Sequence, residues 1–401
     1  MAVVADFAEE GWPSMDLVAN ALFDRLRVEQ AGQVYPVLVR PPFKRRFTRS
    51  VADGARDGLG RAMFNADRLL NRFVDYPRHL RRVRGNFDIF HITDHSYAHL
   101  VRHVAEARAI VTCHDLDAFR AVLEPSTAPR AKRLSVRPLK MMAARGLRGL
   151  RSAAMVACDS LATHDELLRH RLIAADRTVT IPNGVAPVFS AQADSQADRE
   201  AARMLGPIGA ETLEILHVGS TIARKRIDVL LRTFAAIREA HPAARLVRVS
   251  GPFTAAQAKL ARELNVEHAT VVMPFVNPAV LAAIYRRAAI VLITSEREGF
   301  GLPLIEAMAC GSPVIASDLA VLREVGGGAA QFAAVGDVPA WTSIALRLIR
   351  ARMDDPARCN ARRADALRHA ASFSWSEYAR RYVELYRQVA ASAARASARS
   401  A

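Results

Sequence analysis

The stretch Ser295 to Asp318 reads SEREGFGLPLIEAMACGSPVIASD, and its punctuation decides the fold. The apolar run AIVLITS leads into it, too short for a helix of its own and suited to a buried strand. A loop follows, Glu298-Gly299-Phe300-Gly301-Leu302. Pro303 then fits a first helical position, where its missing N–H costs nothing. Gly311 fits the position just past a short helix, where the backbone turns left-handed. The run SPVIAS reads as the next strand. Strand, short helix and strand in this order make a βαβ unit, which needs parallel pairing.

Working outward, the same alternation fills the chain. AVVADF, QVYPVLV, FDIFHIT, AIVTC, AAMVAC and TVTIPN read as buried strands of the first half, and LEILHVG, ARLVRVSG and ATVVMPF precede AIVLITS in the second. Helical spacing lies between most of them, as in Ile227, Leu230, Leu231, Phe234 and Ile237. Repeated βαβ units imply parallel sheets covered by helices on both faces. The polar, alanine-rich segment from Ala186 to Gly206 reads as a link. The expected class is α/β, with two doubly wound Rossmann-like domains, 1–190 and 207–373. Trp375, Tyr378, Tyr382, Leu385, Tyr386 and Val389 then form one helical stripe over 374–390, with Ser374 and Glu377 as a capping box. The closing ASAARASARSA, with nothing to bury, is expected to fray. Such domains bind ligands outside the carboxyl ends of their strands.

The chain has 401 residues, 51% hydrophobic and 24% charged, which is globular composition and excludes a disordered tail protein. No apolar run approaches the roughly 20 residues that span a bilayer. The amino-terminal MAVVADFAEEGW lacks a basic region and a cleavage site, so no signal peptide is expected. Cys113, Cys158, Cys310 and Cys359 are widely spaced, so neither a zinc site nor a disulfide framework is expected, and the compartment reads as the reducing cytoplasm. The net charge of +16 is concentrated. Arg40 to Arg84 carries 13 Lys and Arg against 4 acids, and Arg120 to Arg151 carries 9 against 1. Nucleic acid, an anionic membrane surface, a phosphorylated substrate and a solvated arginine-rich surface all fit that pattern. With 51 Arg and 5 Lys, a lysine stands out.

Gly299 and Gly301 let a backbone approach a ligand closely, and the N–H groups of a helix start suit a phosphate. Glu298 and Glu306 repel phosphate unless they accept hydrogen bonds from hydroxyls. A ligand with both sugar hydroxyls and phosphates satisfies the whole string, whereas a tight turn with two solvated glutamates explains either acid alone.

EGFGLPLIEAM resembles the E-x7-E signature of retaining glycosyltransferases with the GT-B fold, in particular glycosyltransferase family 4. HVGSTIARKRIDVLL, CDS at Cys158 to Ser160, IPNGV at Ile181 to Val185, TCHDL at Thr112 to Leu116 and FSW near Trp375 fall in the family's order along nearly the whole chain. The resemblance implies two domains facing across a cleft and transfer of a hexose from a nucleotide sugar to a glycan or lipid-linked acceptor, without a cofactor or metal. It implies that Glu306 binds ribose hydroxyls and Glu298 the transferred sugar, helped by Gly299, Leu302 and the N–H groups of Phe300 and Gly301. Lys225, with Arg224 beside it and Gly219 and Ser220 before it, would neutralise the diphosphate; Asn183 and Gly11 would complete the donor site. His114 would meet the donor sugar or the nascent oxocarbenium ion. Trp12, Asp94, His95 and Tyr97 are the acceptor candidates.

Ser220 stands where many members have Arg, Arg226 where many have Gly, and Glu9-Glu10-Gly11-Trp12 where many carry a double glycine. GDP-mannose is the favoured donor over UDP-glucose and UDP-N-acetylglucosamine, on likeness to mannosyltransferase-like members of polysaccharide biosynthesis. The basic stretches place the expected enzyme in the cytoplasm, peripheral to the membrane face, with no specific nucleic-acid partner. A GT-B-like sugar-nucleotide epimerase and a non-enzymatic polyanion binder are the alternatives.

Overall fold

The computed structural model describes residues 1–49, 58–123, 137–207, 209 and 212–400. The chain forms two compact units, Met1–Asn183 with Trp375–Ala401, and Gly184–Ser374. Within the two basic stretches, Arg56, Arg130, Lys132 and Arg133 lie outside the described residues.

Each unit is built on a six-stranded sheet in which every pair is parallel. The first holds β1 (Ala2–Val4), β2 (Val37–Val39), β3 (Phe90–Ile92), β4 (Ala109–Cys113), β5 (Met155–Cys158) and β6 (Thr178–Thr180), in the order β2-β1-β3-β4-β5-β6. The second holds β7 (Leu213–Val218), β8 (Ala244–Val249), β9 (Thr270–Met273), β10 (Ile290–Ile293), β11 (Val314–Ser317) and β12 (Gln331–Ala333), in the order β12-β11-β10-β7-β8-β9. Helices cover the faces of the sheets, and the central strands β4 and β10 are buried at every residue. The chain reverses direction across each sheet between β1 and β3 and between β7 and β10. Those switch points leave open ground outside the strand carboxyl ends.

Ten of the strands lie inside the runs expected above for them, as does β2, cut to three residues. The edge strand β12 is too short to show a period. The link is corrected: Ser195–Leu205 is a helix, started by Asp194, whose carboxylate accepts from the N–H groups of Gln196 and Ala197. It buries Ala197, Ala201 and Leu205 and packs on the helix Pro278–Arg287, with Arg286 paired to Asp198 at 2.6 Å. Alanines make a stripe too small to register as hydrophobic periodicity, yet small enough for close helix packing. The closing segment is corrected as well. Helix Trp375–Ser400 runs on through it, because alanine and arginine favour helix even without a partner surface.

This terminal helix belongs to the first unit. The Tyr386 hydroxyl bonds to His91 Nδ1 at 2.7 Å, and the Tyr382 hydroxyl to Thr112 Oγ1 at 2.7 Å, both in the sheet.

Candidate active site

In the second unit the chain leaves β7 through Gly219, whose N–H donates to Val249 O at 3.1 Å. Gly219 has φ 152, a backbone that side-chain-bearing residues rarely adopt. Its carbonyl accepts from Arg248 at 2.9 Å, and the other amino group of Arg248 bonds to the Gly251 carbonyl. Arg248 is fully buried in β8; burial lowers its guanidinium to about 10, so it stays charged at neutral pH and pins both glycine loops. After Ser220, Ala223–Lys225 forms one tight 3-10 turn, Arg226 turns left-handed at φ 48, and helix Ile227–Ala240 begins.

The turn sends two adjacent cations the same way, which a regular helix would not. Lys225 Nζ lies 2.5 Å from Glu298 Oε1, and Arg224 Nη1 lies 3.2 Å from Glu298 Oε2 and 2.8 Å from the Arg297 carbonyl. Ser295 Oγ adds a third donor to Glu298 at 2.7 Å. Burial by itself would raise the Glu298 carboxyl; Lys225 and Arg224 overcome it and hold the group below the usual range. Arg226 instead grips Asp228 through two bonds of 2.9 and 2.8 Å.

The loop Gly299-Phe300-Gly301 follows. Gly301 has φ 100, a backbone that favours glycine, and an added Cβ would have to displace Leu322 Cδ2, 2.7 Å away. Phe300 is buried edge-on against Phe373. Leu302 starts the helix Leu302–Ala309, so Pro303 takes its second position rather than the first expected above. Gly311, at φ 77, closes it: its N–H donates to Met308 O and that of Ser312 to Ala307 O, each at 2.9 Å. Glu306 is buried, and the Tyr285 hydroxyl donates to its Oε2 at 3.0 Å. Burial pushes its carboxyl up to about 7 against the pull of that one hydroxyl.

In the first unit, His114, Asp159 and Asn183 meet just beyond β4, β5 and β6. His114 Nδ1 lies 2.6 Å from Asp159 Oδ2, and Nε2 lies 2.8 Å from the Thr93 carbonyl. Asn183 Nδ2 donates to the same Asp159 oxygen at 2.8 Å. Burial would lower the imidazole, but the Asp159 carboxylate outweighs it and raises His114 to about 9. A doubly protonated ring donates to both partners. Neither nitrogen is then left for a sugar. Asp94 accepts from the N–H and hydroxyl of Ser96 at 2.7 and 2.6 Å, and His95 Nδ1 accepts from the His114 N–H at 3.3 Å. The Tyr97 hydroxyl donates to Glu10 at 2.8 Å, under the guanidinium of Arg72. Tyr97 is therefore a buried brace for the Glu10–Gly11 turn, where Gly11 has φ 70. Trp12, by contrast, is 47% exposed.

Sequence reasoning passed over Asp159, Arg248 and Tyr285. Asp159 sat inside the quoted CDS, and an arginine mid-strand in ARLVRVSG was a signal; nothing in the sequence tied Tyr285 to Glu306.

Two parallel doubly wound units with this lysine–glutamate loop define a class, and comparison fixes it. The model of "Glycosyltransferase Family 4" matches residues 25–188 and that of "Glycosyl transferases group 1" matches residues 198–366. The chain belongs to this family of GT-B glycosyltransferases. Among curated relatives, D-inositol 3-phosphate glycosyltransferase 1 of Catenulispora acidiphila is 35% identical over 253 residues, 59% of each chain. The D-inositol 3-phosphate glycosyltransferase of Kineococcus radiotolerans is 34% identical over 256 residues, 58% of each. The matches thus span less than two thirds of those relatives' length. Among solved structures, Anabaena HepE in complex with UDP and glucose superimposes with TM-score 0.67 at 15% identity, over 96% of this chain and 99% of that one. WaaG, a glycosyltransferase involved in lipopolysaccharide biosynthesis, gives 0.66 at 16%, over 92% and 95%. At such identities the likeness is one of fold.

Proposed function

We propose that this protein is a retaining glycosyltransferase that moves a hexose from a nucleoside-diphosphate sugar to an acceptor hydroxyl. The observation that carries the reading is the convergence of Lys225 and Arg224 on Glu298, where the loop enters helix Leu302–Ala309. In the reaction the bond from the anomeric carbon to the diphosphate breaks, and its electron pair leaves on the phosphate oxygen. The acceptor oxygen bonds to that carbon on the same face, and its proton passes to the departing phosphate. Lys225 and Arg224 offset the charge that builds on the leaving group, so no metal is needed for that task. A diphosphate competes with Glu298 for the two cations and leaves the carboxylate free to accept from sugar hydroxyls. Glu306, ionised, accepts from the ribose. With both nitrogens occupied, His114 is assigned the ordering of the β4–β6 ends rather than a direct bond to the sugar.

The relatives' names and the UDP-bound neighbour do not single out GDP-mannose, so UDP-glucose and UDP-N-acetylglucosamine stand beside it, and D-inositol 3-phosphate joins glycans and lipid-linked sugars as an acceptor to test. No helix among the described residues is long and apolar enough to cross a membrane; we propose peripheral attachment through basic residues. The test is thermal shift and slow hydrolysis across the three sugar nucleotides, with and without chelator. Donor-specific stabilisation with hydrolysis that survives chelator supports the proposal. Interconversion of sugars would indicate an epimerase, and no response to any donor would remove the site.

A further inference from the structure

Arg248 lies fully buried in β8, and among the described residues no carboxylate pairs with it. Its partners are the Gly219 and Gly251 carbonyls, with the Phe253 ring 5.3 Å from the guanidinium carbon. The other cations at this end of the sheet are answered: Lys225 and Arg224 share Glu298, and Arg226 holds Asp228. A buried guanidinium without a counter-ion costs stability, and an apolar side chain of its length would fill the same space at less cost. The backbone is also strained to complete the contact. Ser250 and Gly251 both take left-handed conformations, at φ 101 and 96, and the Gly251 carbonyl returns to the guanidinium. Gln257 ties the two loops a second time, its Nε2 donating to Thr221 O at 3.0 Å.

In a trans peptide the C=O and the N–H point opposite ways. With the Gly219 carbonyl held inward by Arg248 at 2.9 Å, the N–H of the same peptide, that of Ser220, is turned outward. It meets no acceptor among the described residues. The Gly251 peptide offers no such donor, because Pro252 follows it. The Ser220 N–H opens beside Lys225: a Cβ built on Gly219 would lie 3.7 Å from Lys225 Cε and 3.5 Å from His217 Cε1. His217 adds no charge of its own, since burial, then Arg248 and Lys225, lower it to about 3.

We propose that Arg248 is a positioning residue of the donor site, which aims the Ser220 N–H at a phosphate oxygen of the nucleoside diphosphate next to the Lys225 ammonium. This role rests on the reading of the loop as the diphosphate site. A bond from a backbone N–H to an anionic oxygen is among the strong ones. The peptide that makes it is held from behind before the donor arrives, so little freedom is lost on binding. The guanidinium keeps its charge at neutral pH, and a phosphate just beyond the Gly219 peptide is the anion it otherwise lacks. Ser220 contributes through its backbone, and Arg248 acts through that peptide without touching the ligand.

The test titrates the full chain with UDP and with GDP by calorimetry, and follows the Ser220 N–H by NMR in protein made with isotope-labelled serine. The signal is assigned by its loss in Ser220→Ala. A bound diphosphate is expected to move that resonance downfield. Arg248→Met, of similar length and without charge, should bind about tenfold more weakly, with the Ser220 shift gone. Arg248→Lys keeps the charge but not the fork that reaches both carbonyls, and its affinity should fall between. Ser220→Pro removes the N–H from a half-buried loop, leaves β8 untouched and should weaken binding as much as Arg248→Met, which covers the case of a methionine variant that does not fold. A purely structural arginine would lower the unfolding midpoint in Arg248→Met and leave the affinity and the Ser220 shift as in wild type. That result overturns the proposal, as does wild-type affinity in Ser220→Pro. Binding of neither diphosphate by the wild type would remove the donor site itself, and this role with it.

Discussion

Replacing Glu306 by glutamine tests the buried carboxyl through stability, independently of any donor. Burial raises Glu306 from 4.5 to about 7, with the Tyr285 hydroxyl as the opposing influence. An acid whose folded pKa is raised binds more protons folded than unfolded between those two values. Its stabilising share is full below 4.5 and is lost as pH climbs through 7. At about 1.4 kcal/mol per pKa unit, the wild type should lose roughly 2.5 kcal/mol from this one group between pH 5 and pH 8. Glutamine keeps the shape and cannot ionise, so Glu306→Gln should lack that loss. At pH 8 its unfolding midpoint should lie about 5–10 °C above the wild type, and at pH 5 within a few degrees. Thermal unfolding followed by the fluorescence of Trp341, buried in the same unit, reads the difference. Parallel pH profiles for the two proteins would refute the reasoning, because Glu306 would then ionise as easily folded as unfolded. The same variant should bind a sugar nucleotide more weakly by about 1.5–3 kcal/mol, since glutamine cannot offer the ribose a charged acceptor. A stabilised variant with unchanged donor affinity would leave the burial argument standing and remove the ribose role.

Lys225→Ala should weaken donor binding by about tenfold or more while the protein stays folded, as isothermal titration would show; unchanged affinity would detach the lysine from the diphosphate. Asp159→Asn should destabilise the first unit by about 3 kcal/mol at neutral pH, because the buried His114 loses the carboxylate that holds its proton and must give that proton up. The raised His114 pKa makes that contribution full below 6.5 and lost as pH rises through about 9, so urea titrations of wild type and variant should converge at high pH. Gly149→Ala should cost several kcal/mol or prevent folding, since the added Cβ would sit 1.9 Å from the Ala98 carbonyl oxygen, far outweighing the gain of about 1 kcal/mol in helix propensity. Gly85→Ala, with nothing within 4 Å of the added methyl, is the neutral comparison in the same denaturation series.

The architecture was legible because parallel strands buried on both faces are apolar without interruption, and AIVTC or AIVLITS can hardly be read otherwise. The Gly301 and Gly311 turns were legible for a related reason: a positive φ leaves a glycine in the sequence. Elements held by small or weak signals were not, such as the helix Ser195–Leu205, which packs through alanines, and the short edge strand β12. Within the site, the sequence named residue types but not their pairings. Nothing in TCHDL shows that His114 spends both nitrogens internally, since one partner is a carbonyl of β3's exit and the other lies 45 residues on. Nor did the adjacency of Arg224 and Lys225 show that a 3-10 turn brings both to Glu298. That depended on the left-handed residue Arg226, which no glycine marked.

The terminal helix has a consequence for how the molecule is made. Its tyrosines reach His91 and Thr112 in the first sheet, so the amino-terminal unit lacks a wall until Trp375–Ser400, made after the whole second unit, has left the ribosome. The second unit is contiguous from Gly184 to Ser374 and can close earlier. Vectorial synthesis, which usually favours the domain made first, is here inverted. The waiting sheet keeps its apolar strands at risk while the second unit is made, and a stop codon within helix Trp375–Ser400 would strand it unfinished while sparing the unit made after it.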